Sequence, residues 1–191
     1  MAVLAVLFVL SHPGWAWANE NSAVTNATPV FSSRYTNIQK ECKYVYTGKE
    51  ETRGGDIPWT CPPVHDYQAT ISWSALHGCL FVRRLGPPID KYETVLPAIA
   101  CDRGTAITEK MLEWRLVNGQ PFAVIVRRSE WDERDPHLIR KFGESLVVRG
   151  LIGFEAINTS IDTTKESQAN KVARERADDG YKQIMQDLKS K

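Results

Sequence analysis

The chain has 191 residues, 24 Lys+Arg against 23 Asp+Glu, a formal net charge of +1 and 42% hydrophobic residues. Those values correspond to one soluble globular domain, and with 25% charged residues, 12 Gly and 10 Pro they exclude both a disordered polyelectrolyte and a collagen-like repeat. A balance this close to neutral also gives no global attraction for nucleic acid, which is not an expected partner.

The first 18 residues carry no Asp, Glu, Lys or Arg, and the run Ala2 to Leu10 has the length of the apolar core of a secretory signal. Ser11, His12, Pro13 and Gly14 break any helix behind it, and Ala16-Trp17-Ala18 supplies the small-x-small pattern of a cleavage site before Asn19. No Lys or Arg precedes the run, so its positive end is the terminal amine or lies further upstream. A buried N-terminal strand is the competing reading. The run is too short to span a bilayer, and no later segment approaches the roughly 20 apolar residues of a membrane span. The expected location is therefore periplasmic or secreted, with no membrane span after signal cleavage.

Residues 19–33 are small, polar and without periodicity, which predicts a flexible lead-in, with the folded domain running from 34 to 191. Short β-rich runs then alternate with turn signals. The predicted strands are Lys43 to Tyr46, Ile57 to Cys61, Gln68 to Trp73, Cys79 to Arg84, Met111 to Val117, Phe122 to Arg128, Ser145 to Leu151 and Phe154 to Asn158. This pattern predicts a mainly β (α+β) fold, an antiparallel sandwich or open barrel with a C-terminal amphipathic helix.

The hairpin around Asn118-Gly119 permits a test of register. A three-residue loop over Val117 to Gly119 places Leu112, Trp114, Leu116, Phe122, Val124 and Val126 on one core face. Glu113, Arg115 and Arg127 then fall on the other face, where opposite charges pair across strands. A two-residue turn instead strands Phe122, Val124 and Val126 beside Glu113 and Arg115.

After Asn158 the period changes to that of a helix, expected over about 163–189. Thr163 and Glu166 have capping-box spacing, and Ala173, Ala177, Tyr181, Ile184 and Leu188 form an apolar stripe. Lys171 with Glu175 and Arg174 with Asp178 have the spacing of i to i+4 ion pairs, and Gly180 marks a bend or an end. The stripe is expected to dock on the sheet, with a partner helix or a membrane surface as the alternative.

Cys42, Cys61, Cys79 and Cys101 are even in number in an exported chain, which favours disulfides. Sequential pairing, Cys42 with Cys61 and Cys79 with Cys101, closes two short loops worth about 3 kcal/mol each. A metal site on Cys61 and His65, or on His77 and Cys79, lacks the usual ligand spacing, so no metal and no cofactor are expected.

Catalytic signatures are sparse. His65-Asp66 and His77 could serve Ser72 or Ser74, yet no Gly-x-Ser-x-Gly elbow is present. The carboxylates of residues 129–135 lack a calcium-loop ladder, and Glu109 with Glu113 are ordinary acids unless their separation suits a glycosidase. Trp59, Tyr67, Trp73 and Trp131 lie near strand ends, and Arg83-Arg84 and Arg127-Arg128 end two apolar strands. Trp and Arg are common interface anchors, so Trp59, Trp131, Arg83, Arg84, Arg127 and Arg128 are the candidate binding residues, against the alternative that they fill the core and cap strands.

The segments Arg34-Tyr35-Thr36-Asn37-Ile38 followed by Cys42, Trp59-Thr60-Cys61-Pro62, Leu112-Glu113-Trp114-Arg115-Leu116, Pro121-Phe122-Ala123 and Leu146-Val147-Val148 resemble a group of small exported bacterial proteins of unassigned function. The resemblance runs from about residue 34 into the final helix. It implies an exported, single-domain, disulfide-containing protein and carries over no catalytic residue. Periplasmic lysozyme inhibitors share the size and the disulfides, but their Ser-Gly-x-x-Tyr type of loop is missing. The expected function is a non-catalytic binding protein of the cell envelope whose partner is an envelope protein or a glycan. An inhibitor of an envelope-degrading enzyme such as lysozyme, and a hydrolase using His65 or His77, are the alternatives.

Overall fold

A computed structural model describes residues 28–44, 57–73, 78–86, 105–132, 134 and 140–190. The expected signal segment, Ser74, His77, Cys101 and most of the 19–33 lead-in lie outside them. Among the described residues the chain forms nine strands and two helices. These are β1 (Phe31–Asn37), α1 (Ile38–Glu41), β2 (Lys43–Tyr44), β3 (Ile57–Thr60), β4 (Tyr67–Trp73), β5 (Gly78–Arg84), β6 (Thr105–Val117), β7 (Gln120–Trp131), β8 (Lys141–Gly150), β9 (Asn158–Asp162) and α2 (Ala169–Lys189).

The strands follow the order β2-β3-β4-β5-β6-β7-β8-β9, with β1 on β6. Every pairing is antiparallel except one parallel bridge, Gly78 to Ala106, which joins two antiparallel halves. Tyr67, Ala69, Ile71, Leu80 and Val82 of one half share a buried cluster with Leu112, Trp114, Val124, Val126 and Val147 of the other. Side chains alternate across a strand, so one face of each half supplies this inner core. Ile38 of the single-turn α1 is 1% exposed and joins it, and the Trp114 indole N–H donates to the Thr36 hydroxyl at 3.1 Å. The Cys42–Cys61 disulfide ties α1 to the end of β3. Cys79 is also disulfide-bonded, and its expected partner Cys101 lies outside the described residues.

The opposite face of β6, β7 and β8 is covered by α2. Val117, Phe122, Ala123, Ile125, Leu146, Val148, Ile157 and Ile161 pack against Ala169, Ala173 and Ala177, three small residues that let the helix lie close. Phe31, Phe122, Phe154 and Tyr181 close this layer as an aromatic cluster, with centroid separations of 5.1 to 5.9 Å. The helix therefore docks on its own sheet.

Five expectations are corrected. The domain begins before Arg34: Phe31–Ser33 belong to β1, held by seven residue pairs to β6, so the end of the lead-in is ordered by pairing and by the Phe31 ring. The last strand is Asn158–Asp162, because 151–157 form a turn closed by Phe154 N–H to Leu151 C=O and Ile157 N–H to Phe154 C=O. The hairpin loop has two residues, with Val117 opposite Gln120 and Asn118 and Gly119 both at positive φ, the geometry of a tight turn that suits Asn-Gly. A register shift beyond Arg115 then restores Trp114 opposite Val124 and turns Phe122 to the helix face. The helix starts at Ala169, not near 163; Gln168 occupies the N-cap without a side-chain bond, and Thr163 donates instead to the Glu144 carbonyl at 2.9 Å. Gly180 is neither bend nor end: a Cβ there would lie 2.8 Å from Ile157 Cγ1, so the glycine permits close helix-to-loop contact. Along the stripe, Leu188 remains 59% exposed.

Candidate functional site

Glu113 and Arg115 lie two apart on β6, about 6.8 Å along a strand, and Arg174 and Asp178 lie four apart on α2, about 6 Å along a helix. The two spacings match and the charges run in opposite order. Arg174 Nε accordingly donates to Glu113 Oε1 at 2.7 Å, and Arg115 Nη2 to Asp178 Oδ2 at 2.6 Å. Ser33 of β1 links them, donating to Glu113 at 2.5 Å and accepting from Arg115 at 2.7 Å. The side chains of Glu113 and Arg115 are 9% and 7% exposed. The expected pairing along the helix, Arg174 with Asp178, is thus replaced by two pairs into the sheet; Lys171–Glu175 does form, at 3.8 Å. Nor do Glu113 and Arg115 pair across strands with Arg127, which bonds Glu144. Hydrogen bonding to Glu113 holds the Arg174 guanidinium above the usual arginine range.

Beside this layer the edge of the helix leaves an indentation above buried sheet residues. A cleft of about 470 Å³ lies between the first half of α2 and β1, β6, β7 and β8. Its floor is Ile125 and Leu146 with Met111 at the edge. Its polar wall is Tyr35, Lys110, Glu113, Arg127, Asn170 and Arg174. The Tyr35 hydroxyl accepts from Arg174 at 2.9 Å. Tyr35 and Met111, at 45% and 41% exposure, form a solvent-facing lip.

The cleft's shape comes from an irregularity in the hairpin. Ile107 is opposite Arg128 and Leu112 is opposite Val126, so residues 108–111 stand against Arg127 alone. In a regular strand Lys110 and Met111 would point to opposite faces. Here both line the cleft, because the bulge re-aims the lysine.

The six candidate binding residues do not form one surface. Successive strand residues face opposite ways, which splits both arginine pairs. Arg83 donates to Gln68 Oε1 at 3.1 Å on β4, while Arg84 pairs with Asp66 at 2.6 Å. Arg127 lines the cleft and bonds Glu144, which also accepts from Lys141 at 2.5 Å. Those bonds, the Lys141 one foremost, hold the Glu144 carboxyl below its ordinary value. Arg128 pairs with Glu130 at 3.1 Å, and its buried Nε has no partner. Trp59 is half-buried against the inner core, and Trp131 is half-buried at the end of β7. Of the six, only Arg127 reaches the cleft. Tyr35, Lys110, Met111, Ile125, Leu146, Asn170 and Arg174 were not among the candidates, and the complementary order of Glu113-x-Arg115 and Arg174-x3-Asp178 was the signal that could have located them.

His65 is exposed in the Val64–Tyr67 turn at φ 53, and Asp66 is taken by Arg84. Ser72 lies at the other end of β4, opposite Cys79, seven residues from His65 or about 23 Å along an extended chain. The Cys61 sulfur is bound to Cys42. Among the described residues no group of three or more His, Cys, Asp or Glu is arranged to hold a metal ion. No helix of the described residues is long and apolar enough to cross a membrane. Compared with known protein families, with curated proteins and with solved structures, the chain matches none of them.

Proposed function

We propose that this is an exported binding protein of the cell envelope, without catalytic activity, and that it takes its ligand in the cleft beneath α2. Export is supported by the apolar leader at 2–10 and by a disulfide-stapled domain. The observation that carries the binding reading is the cleft itself. An apolar floor with a few convergent polar groups is the usual make-up of a small-molecule site, and about 470 Å³ falls inside the usual size range. Its walls are fixed by strands and by a helix pinned with two ion pairs, so the shape exists before a ligand arrives. His65, by contrast, faces solvent away from Ser72.

The test is ligand capture by the mature protein. Purified protein is incubated with a solvent extract of envelope small molecules, re-isolated and analysed by mass spectrometry, beside a Met111→Trp variant that fills the cleft from its exposed lip. Compounds retained by the wild type and lost in the variant support the reading. Equal retention by both proteins, or turnover of a compound, overturns it.

A further inference from the structure

The charge lining the cleft is one-sided. Three cationic side chains reach it, Lys110, Arg127 and Arg174, against one carboxylate, Glu113. Glu113 is buried and already accepts from Arg174 and Ser33, and Arg174 is held by it in turn. Arg127 keeps about a third of its side chain in solvent beside its Glu144 partner. Lys110 is exposed, and among the described residues its side chain makes no hydrogen bond or ion pair. The bulge at 108–111 is what brings that lysine to the same cleft as Arg127, where the apolar surface is chiefly Met111, 41% exposed, over Ile125 and Leu146, 3% and 4% exposed.

Resting on the binding reading above, we infer that the ligand is an amphipathic anion, its charged head at Lys110 and Arg127 and its apolar body along Met111, Ile125 and Leu146. A lone cation in water gains little from an anion. The same cation at the edge of an apolar groove gains more, because the ligand body excludes water and the hydrogen bond is charge-assisted. The apolar contact at Met111 adds to the charged one, and the head sets orientation and selectivity. A neutral molecule of the same shape would leave Lys110 unmatched, and a cationic one would meet repulsion.

The probes are decanoate and decyl phosphate, with decanol as the neutral analogue and decyltrimethylammonium as the cationic one, all below their micellar concentrations and titrated by calorimetry against the mature protein. Both anions are expected to bind at least ten-fold more tightly than decanol, and the cation not at all. Lys110→Ala should cost the anions about ten-fold while leaving decanol unchanged, and raising salt from 50 to 500 mM should weaken only the anions. A preference for phosphate over carboxylate would assign a phosphorylated lipid-like source, and the reverse a free acid. Equal binding of decanol and decanoate, or indifference to Lys110→Ala, overturns the anion inference while leaving the cleft as the site. Failure of every probe to bind, or binding untouched by Met111→Trp, overturns the cleft reading as well. Lys110 is exposed, so its replacement spares the fold; matching thermal unfolding of variant and wild type checks this.

Discussion

The two faces of β6, β7 and β8 are built from the same strands and are held by different physics. On the inner face, Leu112, Trp114, Val124, Val126 and Val147 meet an apolar partner sheet, and their stability comes from area removed from water. On the outer face, Glu113 and Arg115 alternate with those residues and are buried too, beneath a helix whose contact side is three alanines flanked by paired charges. Burial by itself therefore does not say what a face contributes. The inner face holds the domain together, and the outer one chooses where a helix sits, since buried ion pairs fix register more than they add net stability.

The largest effect expected from that contrast is on the inner face. Trp114→Ala removes the biggest fully buried side chain and the donor to Thr36, at a cost of roughly 3–5 kcal/mol. The loss should be global, with strands and helix melting together in urea. If α2 melted alone while the sheet remained, the inner core would not be the common support of both layers.

On the outer face Asp178→Ala leaves Arg115 buried without its counter-charge, which costs about 3 kcal/mol. Here the loss should be local. Amide exchange in α2 should accelerate, while β7 and β4 keep their protection. Replacing both partners, Arg115→Met with Asp178→Leu, should recover most of the stability. A double variant as unstable as Asp178→Ala would mean that the pair contributes net energy and not only placement.

The same contrast explains what could be read from the chain. Alternation within β6 and β7 exposed the inner face directly, since Leu112, Trp114, Val124 and Val126 recur at period two, and the helix announced itself by Ala173, Ala177 and Tyr181. The outer face was opaque because Glu113, Arg115 and Arg127 look like solvated positions until a helix some 60 residues later is known to lie over them. The cleft was less legible still. It depends on a bulge at 108–111, whose register no local pattern encodes, and on Lys110 leaving the side that strand alternation assigns to it. The aromatic and arginine candidates are spread over different faces because adjacent strand residues diverge.

Gly180→Ala sets propensity against packing. Alanine in a helix interior is worth about 1 kcal/mol over glycine. Its methyl would press on Ile157 Cγ1 at 2.8 Å, and overpacking costs about 1–3 kcal/mol. A net loss of about 1 kcal/mol in chemical denaturation is expected. A gain of the full propensity value would show that the helix can shift freely on the sheet, and the small-residue account of its seating would fall.

Acid provides the gentlest way to separate the two faces, because the apolar inner core has little to protonate. Asp162, at the end of β9, is lowered from its ordinary 3.8 to about 2, first by the Thr164 hydroxyl and then by Lys165. Glu144, which holds Arg127 and Lys141, is lowered as well. A carboxyl depressed in the folded state contributes stability that is present above its unfolded value and disappears as pH falls through the folded one. For Asp162 that window runs from about pH 4 down to about 2. The unfolding midpoint in urea should therefore decline over this window, and Asp162→Asn should begin lower near neutrality and decline less steeply. Asp162 keeps 42% of its side chain in solvent, so the difference is expected to be the smallest of the four. Parallel curves for wild type and variant would remove Asp162 from the acid response and leave Glu144, tested by Glu144→Gln, as the carboxylate that ties the cleft's arginine to pH.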